Sequence, residues 1–270
     1  ALMETKTIRK YLKIYWRLFK FAAIADTTYR TSFFMMLFVE VAYIFVVFLS
    51  MKIIYGNVGT IAGWNYYQMM IFLGVYSIFS ELILGIAFIH NLRNLPGKII
   101  NGELDLLLTK PINSLFAVSL WRPYFALIPS FIPGLLAINY GIHNGGLVVN
   151  YWLIIPFLFL FLCGQVIAYS IGCIVSSLSF WWIGAEPLPN LAEEILFMAG
   201  KPSSIYFGFW KVFFLIVIPL MFMVSFPVQT LLGEMKWWWF LLSLLLAVVF
   251  LKLAFVFWNF SLKRYSSASS

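Results

Sequence analysis

Four ionisable side chains, Glu40, Glu81, Arg122 and Lys252, fall inside long apolar runs of this sequence. A charge held in hydrocarbon is costly, so each one needs a partner or a use. Counted from the nearest span ends at about 1.5 Å per residue, all four reach a similar depth of roughly 10 to 14 Å. Two acids and two bases in one layer can neutralise one another and fix helix register, or grip a polar group of a substrate. Glu193 and Glu194 could face a vestibule or water. Enzymatic chemistry is not expected. His90 and His143 fall on opposite sides of the membrane under the topology below, so they cannot share a metal or a proton. No serine or cysteine has a histidine partner at a recognisable spacing. Cys163 and Cys173 lie in one apolar run without metal-ligand spacing and read as small core residues. No metal site and no catalytic residue is assigned.

A second kind of chemistry, contact with a partner, is written in Ile100-Asn101-Gly102-Glu103-Leu104-Asp105-Leu106-Leu107-Leu108-Thr109-Lys110-Pro111-Ile112. The segment 98–112 is too polar to cross a bilayer and too apolar for a plain loop. Gly102 permits a tight turn and Pro111 bars helix continuation. Leu104, Leu107 and Leu108 repeat at helical spacing and give one apolar face. The segment is predicted to be a docking helix whose leucines enter a groove of a cytosolic partner, with Glu103, Asp105 and Lys110 pairing at the rim.

These residues must be positioned by membrane-spanning helices. Of 270 residues, 63% are hydrophobic, 20% aromatic and only 10% charged, which marks an all-α polytopic membrane protein folded as one domain over 1–270. The runs 31–54, 66–88, 115–140, 151–176 and 237–260 can each cross a hydrocarbon core of about 30 Å, or nearly so. A sixth span must lie within 177–233. Lys6, Arg9, Lys10, Lys13, Arg17, Lys20 and Arg30 precede the first run; Arg93, Lys98 and Lys110 lie between the second and third; Lys263 and Arg264 follow the last. The connections on the other side carry almost no positive charge. Both termini and the docking segment are therefore predicted to be cytosolic, in the inner or plasma membrane. The net charge of +8 reads as an orientation and lipid-headgroup signal, with no nucleic acid as a partner.

The opening stretch has its own pattern. Lys6, Lys10, Lys13, Arg17 and Lys20 share one side of a helix over 5–23, while Ile8, Leu12, Tyr15, Phe19 and Ala22 share nearly the opposite one. Such a helix lies in the interface with its lysines at anionic headgroups. Asp26, Thr27 and Thr28 offer cap and turn chemistry before the chain enters the membrane. No small-residue cleavage site precedes a short apolar core, so insertion is expected to begin with the first span.

A basic interfacial helix, two spans, a cytosolic GELDLLLTKPI, then further spans with a proline-interrupted region before the last: this order resembles the permease subunit of ABC-2 type exporters. Gly102, Leu104, Asp105, Leu108, Lys110, Pro111 and Ile112 match the pattern G-x-L-D-x-x-L-x-K-P-[IL] of one branch, and Ser179-Phe180-Trp181 fits it too. The resemblance implies six spans, a second identical or related permease subunit, and two ATPase subunits beneath, with ATP and magnesium bound there and no cofactor in this chain. It also makes 102–111 the coupling helix. The absence of GxxxxGK[ST] agrees with a motor on another polypeptide. The cargo remains open, with aromatic and methionine content compatible with an amphiphile. A membrane anchor that recruits a cytosolic protein is the alternative.

Within 177–233 two topologies compete. Hydropathy makes 207–225 the fifth span. The resemblance instead starts that span near Leu178, brings Gly200-Lys201-Pro202 to the outside, and makes 201–228 an extracellular re-entrant hairpin broken at Pro219. Phe213, Phe214, Leu215 and Ile218 would then form an outer gate beside Pro219, tolerable as broken helix only where protein covers the backbone. The three tryptophans Trp237, Trp238 and Trp239 read as an interfacial belt.

Overall fold

The computed structural model describes residues 2–28, 30–124, 131–147, 150–182, 187–234 and 236–265. The chain is 81% helix, with no strands among the described residues. Helix α1 (Leu2–Thr28) extends past the predicted end of the interfacial helix. The physical reason lies in Thr27 and Thr28, whose hydroxyls donate back to the carbonyls of Ala23 and Ile24, both at 2.6 Å, and so prolong the helix. Helix α2 (Arg30–Asn57) follows. Helix α3 (Tyr66–Ile83) opens with a reciprocal cap: Asn65 Oδ1 accepts the Gln68 N–H at 2.9 Å, and Gln68 Oε1 accepts the Asn65 N–H at 3.0 Å.

Helix α3 then runs into a π-helix at Leu84–Leu92. Two short helices, α4 (Leu95–Ile100) and α5 (Glu103–Leu108), form the predicted docking segment. Gly102 separates them with φ of +71°, a conformation that costs L-residues with a Cβ about 1–2 kcal/mol. The single docking helix of the sequence reading is thus the second arm of a helix-turn-helix.

The predicted third span is also broken. Helix α6 (Ser114–Ser119) stops well short of α7 (Phe131–Asn144), and 120–124 is irregular. Pro123 has no N–H and disfavours helix at Arg122. The freed backbone finds partners on the π-helix: Tyr124 N–H donates to the Gly85 carbonyl at 2.8 Å. Residues 125–130 lie outside the described residues.

Helix α8 (Ile154–Ser177) is entered by a 3-10 turn at Tyr151–Leu153 and left by another at Leu178–Phe180. Beyond it come α9 (Pro187–Phe197), the short α10 (Gly208–Val212) with a π-helical continuation at Phe213–Val217, α11 (Ser225–Leu231) and α12 (Trp238–Leu262). Among the described residues, three elements are long and apolar enough to cross a membrane: Tyr66–Phe88, Tyr151–Phe180 and Trp238–Leu262. Gly208–Val217 and Leu220–Leu231 form a pair bent by 68° that counts as a fourth only if taken as one span.

Close packing organises the bundle. Helices α3 and α7 run antiparallel with backbone nearly touching backbone: a Cβ on Gly134 would stand 2.9 Å from the Gly74 carbonyl oxygen. Membrane helices associate through such small residues because lipid offers no hydrophobic drive between them. Helix α8 runs parallel to α3, with Gln165 Nε2 donating to the Phe79 carbonyl at 3.0 Å and the Phe79 and Phe161 rings 5.9 Å apart. Helix α12 lies along α8 through Phe159–Phe240 and Phe180–Trp258 ring contacts. At one end Trp258 Nε1 donates to Ser114 Oγ at 3.0 Å, and at the other Trp64 Nε1 donates to Ser204 Oγ at 3.1 Å.

Candidate functional site

The leucine face of the docking segment is turned inward. Leu104 is fully buried and Leu107 is 8% exposed, both within the chain's own core together with Leu95 and Leu115. Leu108 is half-buried. Their expected place in a partner groove therefore does not hold for Leu104 and Leu107, which fasten the segment to its own bundle. What the segment presents outward is Leu106, 69% exposed, with Ile100, Glu103 and Pro111. Helical spacing read three leucines as one face but could not tell which side of the segment has core beneath it.

Polar contacts fix the rest of the segment. The Lys110 ammonium stands 3.4 Å from the centroid of the half-buried Trp121 ring, a cation–π contact that ties the segment's end to the chain beyond α6. Asp105 is half-buried. Helix α1 reaches across as well: Lys10 Nζ donates to the Pro111 carbonyl at 3.3 Å, and Tyr11 Oη accepts the Asn113 N–H at 2.9 Å. Asn113 in turn caps α6, its Oδ1 accepting the Phe116 N–H. The Tyr11 ring meets Phe116 edge-on at 4.8 Å. Helix α1 and the segment 98–112 are thus one contiguous unit.

Behind that unit lies Asn91, buried at the end of the π-helix. Its Nδ2 donates to the carbonyls of Ile86 and Arg122, at 3.1 and 3.0 Å, while its Oδ1 accepts the Arg122 N–H at 3.0 Å. Lys98 on α4 donates to the Asn91 carbonyl at 3.4 Å. Burial holds the Lys98 ammonium below the usual lysine range, with Glu103 opposing that shift and Arg122 adding to it. Nearby, Arg93 pairs with Glu193 of α9 at 3.8 Å, joining the turn between the π-helix and α4 to the middle of α9.

Of the residues expected to share one charged layer, Glu81, Arg122 and Lys252 have described side chains, and each lies in different surroundings. Arg122 is exposed and sits within electrostatic reach of Lys98, because the break after α6 takes it out of a continuous span. Lys252 is exposed on α12. Glu81 is half-buried on α3; the side chains of Glu40 and His90 lie outside the described residues. Glu81 instead lines a cavity of about 700 Å³ between α2, α3, α7 and the end of α9, whose wall also carries Tyr43, Tyr76, Ser77, Ser80 and Lys201.

Residues 41–269 match the family described as ABC-2 family transporter protein. That match covers most of the chain. It belongs to the ABC-2 transporter family. No curated protein and no solved structure matches the sequence. As an ABC-2 family member the chain is a membrane transport component, the permease type that associates with ABC ATPases.

In this ABC-2 chain the proline-broken region is well packed. Phe214, Pro219 and Leu220 are buried, and Phe213, Leu215 and Ile218 are half-buried. The Phe214 ring is 4.7 Å from Tyr206 and 5.8 Å from Trp210. The turn between the bent helices reaches the middle of α8, where Met223 backbone abuts Gly164. Phe226 then stacks on Trp239 at 4.2 Å and 6°, so Trp239 packs inside the bundle whereas Trp237 is exposed. Cys163 and Cys173 are buried free thiols on α8. Asn91, Arg93 and Lys201 are site residues that sequence reasoning missed. For Lys201 the signal was its position between Gly200 and Pro202, where the helix ends and a side chain is released toward the cavity.

Proposed function

We propose that this chain is the permease subunit of an ATP-driven exporter, paired with a second identical or related permease and seated on two ATPase subunits that bind ATP and magnesium. The observation that carries this reading is the docking segment: anchored from behind by Leu104 and Leu107, it presents Leu106 and Ile100 outward beside acidic Glu103. Such an anchored, part-apolar projection suits mechanical contact with a soluble motor. Force received there passes to α1 through Lys10 and Tyr11, and to α9 through the Arg93–Glu193 pair.

The topology follows the same reading. Helices α2, α3, the broken pair α6 and α7, α8, the segment from α9 to Ile205, and α12 form six spans, with both termini and the docking segment in the cytosol of an inner or plasma membrane. Gly200 against the Tyr76 ring and Ser204 against Trp64 support a chain that climbs from α9 to the outer end. The bent pair then enters from outside as far as Gly164 and returns to Trp239, with Phe213, Phe214, Leu215, Ile218 and Pro219 as the outer gate. The cargo is apolar or amphiphilic.

Copurification of the chain from its native membrane with an ABC ATPase tests the reading. An exporter subunit binds that ATPase and its presence changes the rate of ATP hydrolysis; a passive anchor binds without altering turnover.

A further inference from the structure

The cavity between α2, α3, α7 and α9 combines features that the docking unit does not use. One wall is apolar, formed by Val47, Phe48, Met51, Met70 and Leu73. Glu81 on α3 and Lys201 just past α9 line the same cavity. Tyr76 lies within electrostatic reach of Tyr43, Glu81 and Glu194, and Tyr43, Tyr76 and Glu81 all line the cavity. Gly200, the neighbour of Lys201, packs against the Tyr76 ring, which brings Lys201 to the same cavity as Tyr76 and Glu81. Tyr76 and Glu81 are five residues apart, which on a helix is about 7.5 Å along the axis. A volume of about 700 Å³ is in the range of about 300–1,000 Å³ that holds one drug-sized ligand.

We infer that this cavity binds a single-chain amphiphile with a zwitterionic headgroup, its ammonium at Glu81 between Tyr76 and Tyr43, its anionic group at Lys201, and its tail along Val47, Met51 and Met70. An acid beside aromatic rings recognises an ammonium through charge and ring quadrupole together. Lys201, lining the same cavity, matches the opposite charge of the same headgroup. The apolar wall accounts for the tail, and an ionisable pair facing an intramembrane cavity is the setting in which charge serves binding. This deepens the exporter reading and rests on it by naming the class of cargo.

Binding is measurable without any ATPase, which separates its failure from failure of the exporter assignment. The full chain is placed in phosphatidylglycerol nanodiscs, and saturable binding of tritiated dodecylphosphocholine is read against empty discs. Competitors share the dodecyl tail and differ in head: trimethylammonium, sulfate and maltoside; phosphocholine without a tail tests the head alone. Unlabelled dodecylphosphocholine should displace best and dodecyltrimethylammonium next, with sulfate and maltoside at least tenfold weaker and tail-less phosphocholine inert. Glu81→Gln should weaken the zwitterion and the cation at least tenfold. Lys201→Gln, at an exposed position that tolerates change, should weaken the zwitterion and leave the cation unchanged or tighter. No saturable binding above empty discs, no preference among heads, best displacement by the sulfate or displacement by the head alone overturns the proposal. So does a Lys201→Gln protein that binds the zwitterion as before.

Discussion

The carboxamide of Asn91 holds both backbone groups of Arg122, accepting its N–H and donating to its carbonyl at 3.0 Å each. That double bond pattern imitates a neighbouring backbone. It lets the chain leave helical geometry after α6 inside a bundle where an unpaired amide is costly. The same carboxamide closes onto the Ile86 carbonyl of the π-helix, so the widened turn and the break opposite it are one structural device.

Replacing Asn91 by Ala should therefore destabilise the protein by about 2–4 kcal/mol, since each buried group left without its partner costs about 1–3 kcal/mol. Urea or sodium dodecyl sulfate unfolding of the purified chain measures this. Asn91→Ala with an unchanged midpoint would mean that the break at 120–124 is held by other contacts.

Leu106 and Leu107 are adjacent, yet the first is exposed and the second buried, and the two should separate docking from folding. Leu106→Asp should leave a folded permease that no longer retains its ATPase in pull-down. Leu107→Ala should instead lower stability by about 2–5 kcal/mol, the usual cost of truncating a buried leucine. Equal losses of stability in both variants would defeat the assignment of the outward face.

Gly102→Ala should cost about 1–2 kcal/mol through the left-handed backbone it requires, whereas Gly102→Asn should cost less, because asparagine tolerates that region better. The relevant readout is ATPase stimulation alongside stability, since the turn sets the angle between α4 and α5. A Gly102→Ala protein that keeps full coupling would show that this angle is unimportant.

Cysteines placed singly at Phe207 and Lys236, both exposed and flanking the bent helices, decide the topology in a background lacking Cys163 and Cys173. If the bent pair is re-entrant, an impermeant maleimide applied outside cells labels both positions. Labelling of position 236 from outside and of position 207 only after permeabilisation would make the pair an ordinary span.

Composition and hydropathy alone determined that this is a helical membrane protein, because backbone buried in lipid must satisfy itself within helices and the apolar runs have the length to span. The motif between Gly102 and Pro111 was equally legible, since glycine and proline act on the chain locally. Which leucines point inward was not: Leu104, Leu106 and Leu107 are chemically alike, and only the packing of α5 against α6 and α4 separates them. The charges at Glu81, Arg122 and Lys252 looked like one layer because sequence supplies depth along a helix and no azimuth around the bundle. Tertiary packing turned Glu81 to a cavity beside Lys201, and left Arg122 near Lys98 once Asn91 had captured its backbone. Those placements depend on long-range partners, and no local pattern of residues encodes them.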